Sequence, residues 1–126
     1  MSRSIDLFVA SDLPLEQVAE QLGHAISASL SASPHGATFI LRDGDVVAEL
    51  GPHPYQDDGD LLLSRYRYAL SAAVPDDARP QYTPEAVVLR KIAQAVRAKD
   101  LFPVLLVMDL QFRDGDGERD TAPAAP

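Results

Sequence analysis

Two alternating stretches, Ala37 to Arg42 and Asp45 to Leu50, flank the dipeptide Asp43-Gly44. Asp-Gly is a preferred type I′ turn, in which both central residues take positive φ and the backbone twists with the strands it joins. Such a turn sets Arg42 opposite Asp45, Leu41 opposite Val46, Phe39 opposite Ala48 and Thr38 opposite Glu49. One face of the ribbon then holds Ala37, Phe39, Leu41, Val46, Ala48 and Leu50. That face belongs in a core, so the rest of the chain must supply layers to cover it.

The stretch Leu61 to Val74 extends the sheet. In steps of two it carries Leu62, Tyr66, Tyr68, Leu70, Ala72 and Val74 on one side, and Leu63, Arg65, Arg67, Ala69 and Ser71 on the other. A helix would set Arg65 and Arg67 roughly 200° apart and push one into the apolar stripe. The expectation is one long strand, Tyr66 and Tyr68 inward, Arg65 and Arg67 on an open sheet face. Ser4 to Ala10 alternates in the same way.

Two helices complete the pattern. Ser11-Asp12-Leu13-Pro14 opens the first, with Pro14 in its first turn and Leu15, Val18 and Leu22 at helical spacing. Its end is expected at Gly23 or near Leu30, before a loop at 31–36. Thr83-Pro84-Glu85 supplies an N-cap, a proline at the first helical position and an early acid for the second. Val88, Ile92 and Val96, flanked by Leu89 and Ala93, form its buried stripe. Phe102 to Leu110 is apolar on both sides of a pleat and suits an interior strand. The class is α+β, a mostly antiparallel sheet of about five strands with two helices on one face, in the order β-α-β-β-β-α-β. The first and last strands are expected side by side in mid-sheet. Residues 1–112 form a single domain, and 113–126, rich in Gly, Asp, Glu, Ala and Pro, form a disordered tail.

At 126 residues the chain can bury a core without staples, and it has no cysteine for a disulfide or a thiolate metal site. The N-terminal apolar run is too short for a signal peptide, and nothing approaches the roughly 18–20 apolar residues of a membrane span. A cytoplasmic protein that touches no membrane is the expectation. The net charge of −8 argues against nucleic acid as a partner. Asp43, Asp45, Glu49, Asp57, Asp58 and Asp60 fall in one stretch without a Lys or Arg. Such a patch serves solubility, or it steers a basic protein partner.

Catalytic signatures are missing. The chain has no Gly-x-Ser-x-Gly, no Walker-type phosphate loop and no dinucleotide fingerprint. His24, His35 and His53 lack partners at zinc-like spacing. Counting from Asp114, calcium-loop positions six and twelve are Arg119 and Ala125, so an EF-hand fails. Asp57, Asp58 and Asp60 lack a downstream bidentate Glu. Asp109 is the one candidate for acid–base work, and an ion pair with Arg65 or Arg67 is its structural alternative. No cofactor or metal is expected. Recognition remains, through the acidic stretch, through His53 and Tyr55 in the loop beside it, or through Arg65 and Arg67, since arginine is enriched at binding hot spots. Pairing of these arginines with neighbours such as Glu49 is the plainer alternative.

The order of elements from Ser4 to Leu110, with Ser11-Asp12-Leu13-Pro14-Leu15-Glu16 and Arg65-Tyr66-Arg67-Tyr68 as its quoted pieces, resembles small acidic bacterial immunity proteins of toxin systems. That resemblance implies a non-enzymatic inhibitor that binds a cognate toxin without a cofactor. A structural or adaptor subunit of a larger bacterial assembly, binding through a sheet face or edge, is the alternative.

Overall fold

The alternation at the N-terminus forms β1 (Arg3–Val9), and the sheet is built outward from it on both sides. The computed structural model describes residues 3–34, 37–53, 63–75, 79, 82–108 and 119–120. The remaining elements are α1 (Leu15–Ile26), β2 (Ser31–Ala32), β3 (Phe39–Asp43), β4 (Val46–Pro52), β5 (Tyr68–Val74), α2 (Pro84–Ala98), β6 (Val104–Val107) and β7 (Arg119–Asp120). The strands run in the order β2-β3-β4-β5-β1-β6-β7, and every neighbouring pair is antiparallel. This is the expected α+β class. The five longer strands are those expected, β1 and β6 are adjacent as expected, and the two-residue β2 and β7 add the edges.

A row of large side chains crosses the helix-covered face. Phe39 faces Leu50, Leu50 faces Leu70, Leu70 faces Leu7, and Leu7 faces Leu106. The four leucines are fully buried, each contributing roughly 1.5–3 kcal/mol of transfer free energy. Val18 and Leu22 of α1, with Leu89, Ile92 and Val96 of α2, close over them. The cap of α2 is as expected: the Thr83 Oγ1 accepts the Ala86 N–H at 3.2 Å, and Pro84 begins the helix.

Four expectations are corrected. The β3–β4 register is shifted by two residues, so that Arg42 faces Val47, Leu41 faces Ala48 and Phe39 faces Leu50. The turn is Gly44-Asp45, with φ of 60° at Gly44 and no positive φ at Asp43 or Asp45. This is the pattern of a type II′ turn, which spares an aspartate the left-handed region that type I′ demands. A two-residue slip preserves parity, so the faces stand while the Arg42–Asp45 pairing does not.

The second correction concerns Leu61 to Val74. Leu61 and Leu62 lie outside the described residues, Leu63–Arg65 is a 3₁₀ turn closed by the Tyr66 N–H on the Leu63 carbonyl, and the strand starts only at Tyr68. The cause is the loss of both partners at one place. Tyr68 faces Val9, the last residue of β1, and Pro52, the last of β4, which has no N–H to continue a ladder. Without partners the chain turns, and Tyr66 and Tyr68 reach opposite faces. Tyr68 joins the main core, whereas Tyr66 and Leu63 pack on Phe8 beneath the other side of the sheet. The face expected to lie open is therefore partly covered.

Thirdly, α1 starts after Pro14, which caps it without a side-chain bond, and it passes through Gly23 to end at Ile26. Ser27, in the left-handed region at φ 56°, closes it. The Ala28 N–H reaches the Gly23 carbonyl at 2.8 Å, and the Ser27 N–H reaches that of His24 at 3.4 Å, a Schellman closure. Fourthly, Ser31 and Ala32, expected in a loop, pair with Ile40 and Phe39. In the stretch expected to be tail, Arg119 and Asp120 pair with Val107 and Leu106.

Candidate functional site

The place where β1 ends and β5 and β6 begin is also where three loops converge. Ala10, Ser11 and Asp12 leave β1, Ser64 to Arg67 lead into β5, and Pro103 precedes β6; together they line an open groove of about 750 Å³. The Ala10 N–H donates to the Pro103 carbonyl at 2.9 Å and joins two of its walls. Below the groove the short turn is held to the sheet by Leu63 and Tyr66, both buried against Phe8.

Arg67 is held in place, with no carboxylate paired to it among the described residues. Its Nη1 donates to the Asp12 carbonyl at 3.3 Å, and its guanidinium carbon lies 5.2 Å from the centre of the Tyr68 ring. A carbonyl and a ring face hold the cation without cancelling its charge. The Tyr68 hydroxyl in turn donates to the Leu13 carbonyl at 2.9 Å, and the Ser11 Oγ accepts the Leu13 N–H at 3.2 Å. Arg65 and Arg67 are both exposed. Burial pushes the Tyr66 phenol above its ordinary pKa, and the positive charges of Arg65 and Arg97 pull it partly back. Arg97, which is not among the residues that line the groove, donates to the Val104 carbonyl at 3.4 Å.

His53, expected in a recognition loop, packs against the sheet. It is half-buried, its ring meets Phe8 edge-on at 4.8 Å and 87°, and its Nε2 lies 2.5 Å from the Tyr66 carbonyl. A carbonyl can only accept, so Nε2 carries the proton. His53 thus fastens the turn that carries the two arginines. Phe8 and Tyr66 also meet at an angle, with centroids 6.2 Å apart.

The other expected residues lie elsewhere. Asp43 and Asp45 are exposed at the hairpin tip, and Glu49 is exposed on the second sheet face, where its carboxylate accepts the Thr38 hydroxyl. The tip and the groove are at opposite ends of β4, whose six residue steps from Val46 to Pro52 span about 20 Å. Tyr55, Asp57, Asp58, Asp60 and Asp109 lie outside the described residues. Among the described residues, no group of three or more His, Asp or Glu is placed to hold a metal ion, and no helix is long and apolar enough to cross a membrane.

Two features escaped the sequence reading. Asp6 is 1% exposed, although it alternates to the face away from the helices. The Ser4 hydroxyl donates to its Oδ2 at 2.8 Å, and the Ser71 hydroxyl donates to its Oδ1 at 2.5 Å across the β1–β5 register. The second feature is the groove itself, which joins residues more than fifty positions apart. The alternation of β1 does mark Asp6 as facing away from Ile5 and Leu7; only the register sets Ser71 beside it. No family model, curated protein or solved structure matches this chain.

Proposed function

We propose that the protein is a non-catalytic binding module for a protein partner, of the immunity-type inhibitor class, with the acidic hairpin tip as its contact to a basic surface. The observation that carries this reading is the position of Asp43 and Asp45, exposed where the sheet ends and used by no packing contact of the core. The tip is a two-residue turn with Gly44 in the left-handed region, so the backbone that carries the two aspartates has little freedom to lose on binding. The net charge of −8 adds long-range attraction for a cationic partner.

The test is capture and identification of the partner from the native host, followed by association kinetics with the purified pair. Neutralising the tip with Asp43→Asn and Asp45→Asn is expected to slow association at low salt by about tenfold and to leave little effect at high salt. An unchanged association rate at low salt would overturn the acidic-tip reading.

A further inference from the structure

We infer that the groove between the end of β1 and the starts of β5 and β6 is a docking site for a single carboxylate carried on a partner's peptide chain. Its charge is the first argument. Among the described lining residues, Arg65 and Arg67 against Asp12 leave one net positive charge, on a chain whose total is −8. One positive charge matches one carboxylate. A phosphate dianion would meet Asp12 uncompensated, and a polyanion would be repelled by the rest of the molecule.

Geometry is the second argument. Arg67 is held in advance by the Asp12 carbonyl at 3.3 Å and by the Tyr68 ring, which is itself tethered to Leu13. Part of the rotamer entropy that a flexible arginine would lose on binding is therefore already lost on folding. The Ser11 Oγ spends an acceptor position on the Leu13 N–H, which leaves its own hydrogen to donate. Ala10 and Pro103 provide an apolar flank for the stem of a glutamate or the residue beside it. The groove is open to solvent and about 750 Å³ in volume, which is room for a short peptide segment. This site is distinct from the hairpin tip and does not depend on it.

The test uses the full chain and two capped pentapeptides, Ala-Ala-Glu-Ala-Ala and its Gln counterpart, titrated by NMR. The Glu peptide is expected to shift the amide signals of Ser11, Asp12, Arg65 and Arg67 saturably, with the Gln peptide at least tenfold weaker. Arg65→Gln is expected to weaken the Glu peptide about tenfold, the loss of one charge-assisted hydrogen bond. Arg67→Lys, which keeps the charge but not the planar fork, is expected to weaken it severalfold, with the amide spectrum reporting that the fold is intact. The doubly neutralised hairpin, Asp43→Asn with Asp45→Asn, is expected to bind within twofold of wild type, which separates this site from the acidic-tip reading. Equal binding of the Glu and Gln peptides, shifts confined to another surface, or wild-type affinity in Arg65→Gln would overturn the assignment. Acetate binding as tightly as the Glu peptide would make the groove a site for free carboxylates and overturn the peptide part. Displacement of the peptide by inorganic phosphate at lower concentration than by acetate would overturn the choice of a monoanion.

Discussion

Gly23→Ala should destabilise the protein, against the ordinary rule for a helix interior. Replacing glycine by alanine inside a helix normally gains about 0.8–1 kcal/mol. Here a Cβ at position 23 would stand 2.7 Å from the Ala28 carbonyl oxygen, where ordinary contact begins at 3.4 Å. The obstacle is backbone, folded back over the helix by the Schellman closure, and it cannot rotate away. Moving it disrupts the Ala28 N–H bond to the Gly23 carbonyl, worth about 1 kcal/mol, and adds overpacking strain of about 1–3 kcal/mol. The net expectation is a loss of about 1–3 kcal/mol. Urea unfolding should show a lower midpoint with an unchanged slope, and the melting temperature should fall by roughly 4 °C per kcal/mol. Gly51→Ala is the matched comparison. Its Cβ would stand 2.6 Å from the Thr38 Cγ2, but that is a methyl group that can turn about one bond, at the expense of an exposed hydrogen bond to Glu49. Its cost should stay under about 1 kcal/mol. A Gly23→Ala protein as stable as wild type, or a Gly51→Ala protein that loses more, would refute the reasoning.

Other substitutions probe the remaining parts of the fold. Ser27→Gly should stabilise by about 0.5–1 kcal/mol in the same urea assay, because the left-handed φ of 56° costs serine what it does not cost glycine. Thr83→Ala removes the side-chain cap of α2 and should lose about 1 kcal/mol, with the helical circular dichroism signal melting earlier. Leu63→Ala should cost about 2 kcal/mol, the low end for a buried leucine at the margin of a core, and should broaden the amide signals of Arg65 and Arg67. For Tyr66, burial raises the folded-state pKa above the unfolded value near 10. Stability from this group is thus fully present below about pH 10 and is lost as pH climbs through the folded pKa. Tyr66→Phe should remove that part of the alkaline loss and a component that ionises above pH 10 in the absorbance titration at about 295 nm; an identical alkaline profile in the variant would count against a buried phenol.

Periodicity and turn chemistry alone determined a good deal. Alternation assigned Leu41, Val46 and Leu50 to the core face, and Thr83-Pro84-Glu85 with the Val88, Ile92 and Val96 stripe defined the second helix. These depend on nearest neighbours along the chain, and the structure bears them out. The faces survived even a two-residue register slip, because parity is unchanged by it. What depends on neighbours in space was not legible. Leu61 to Val74 alternates as a strand would, yet a strand exists only where a partner offers hydrogen bonds, and both partners end opposite Tyr68. Asp6 reads as an outward residue until the β1–β5 pairing brings Ser71 to it. Arg65 and Arg67 could be picked out as a cationic pair, but Ser11, Asp12 and Pro103 join them only because three loops meet at one end of the sheet. Local spacing specifies which way a side chain faces; the hydrogen-bonded partners of each strand decide where the strand stops and what its loops assemble.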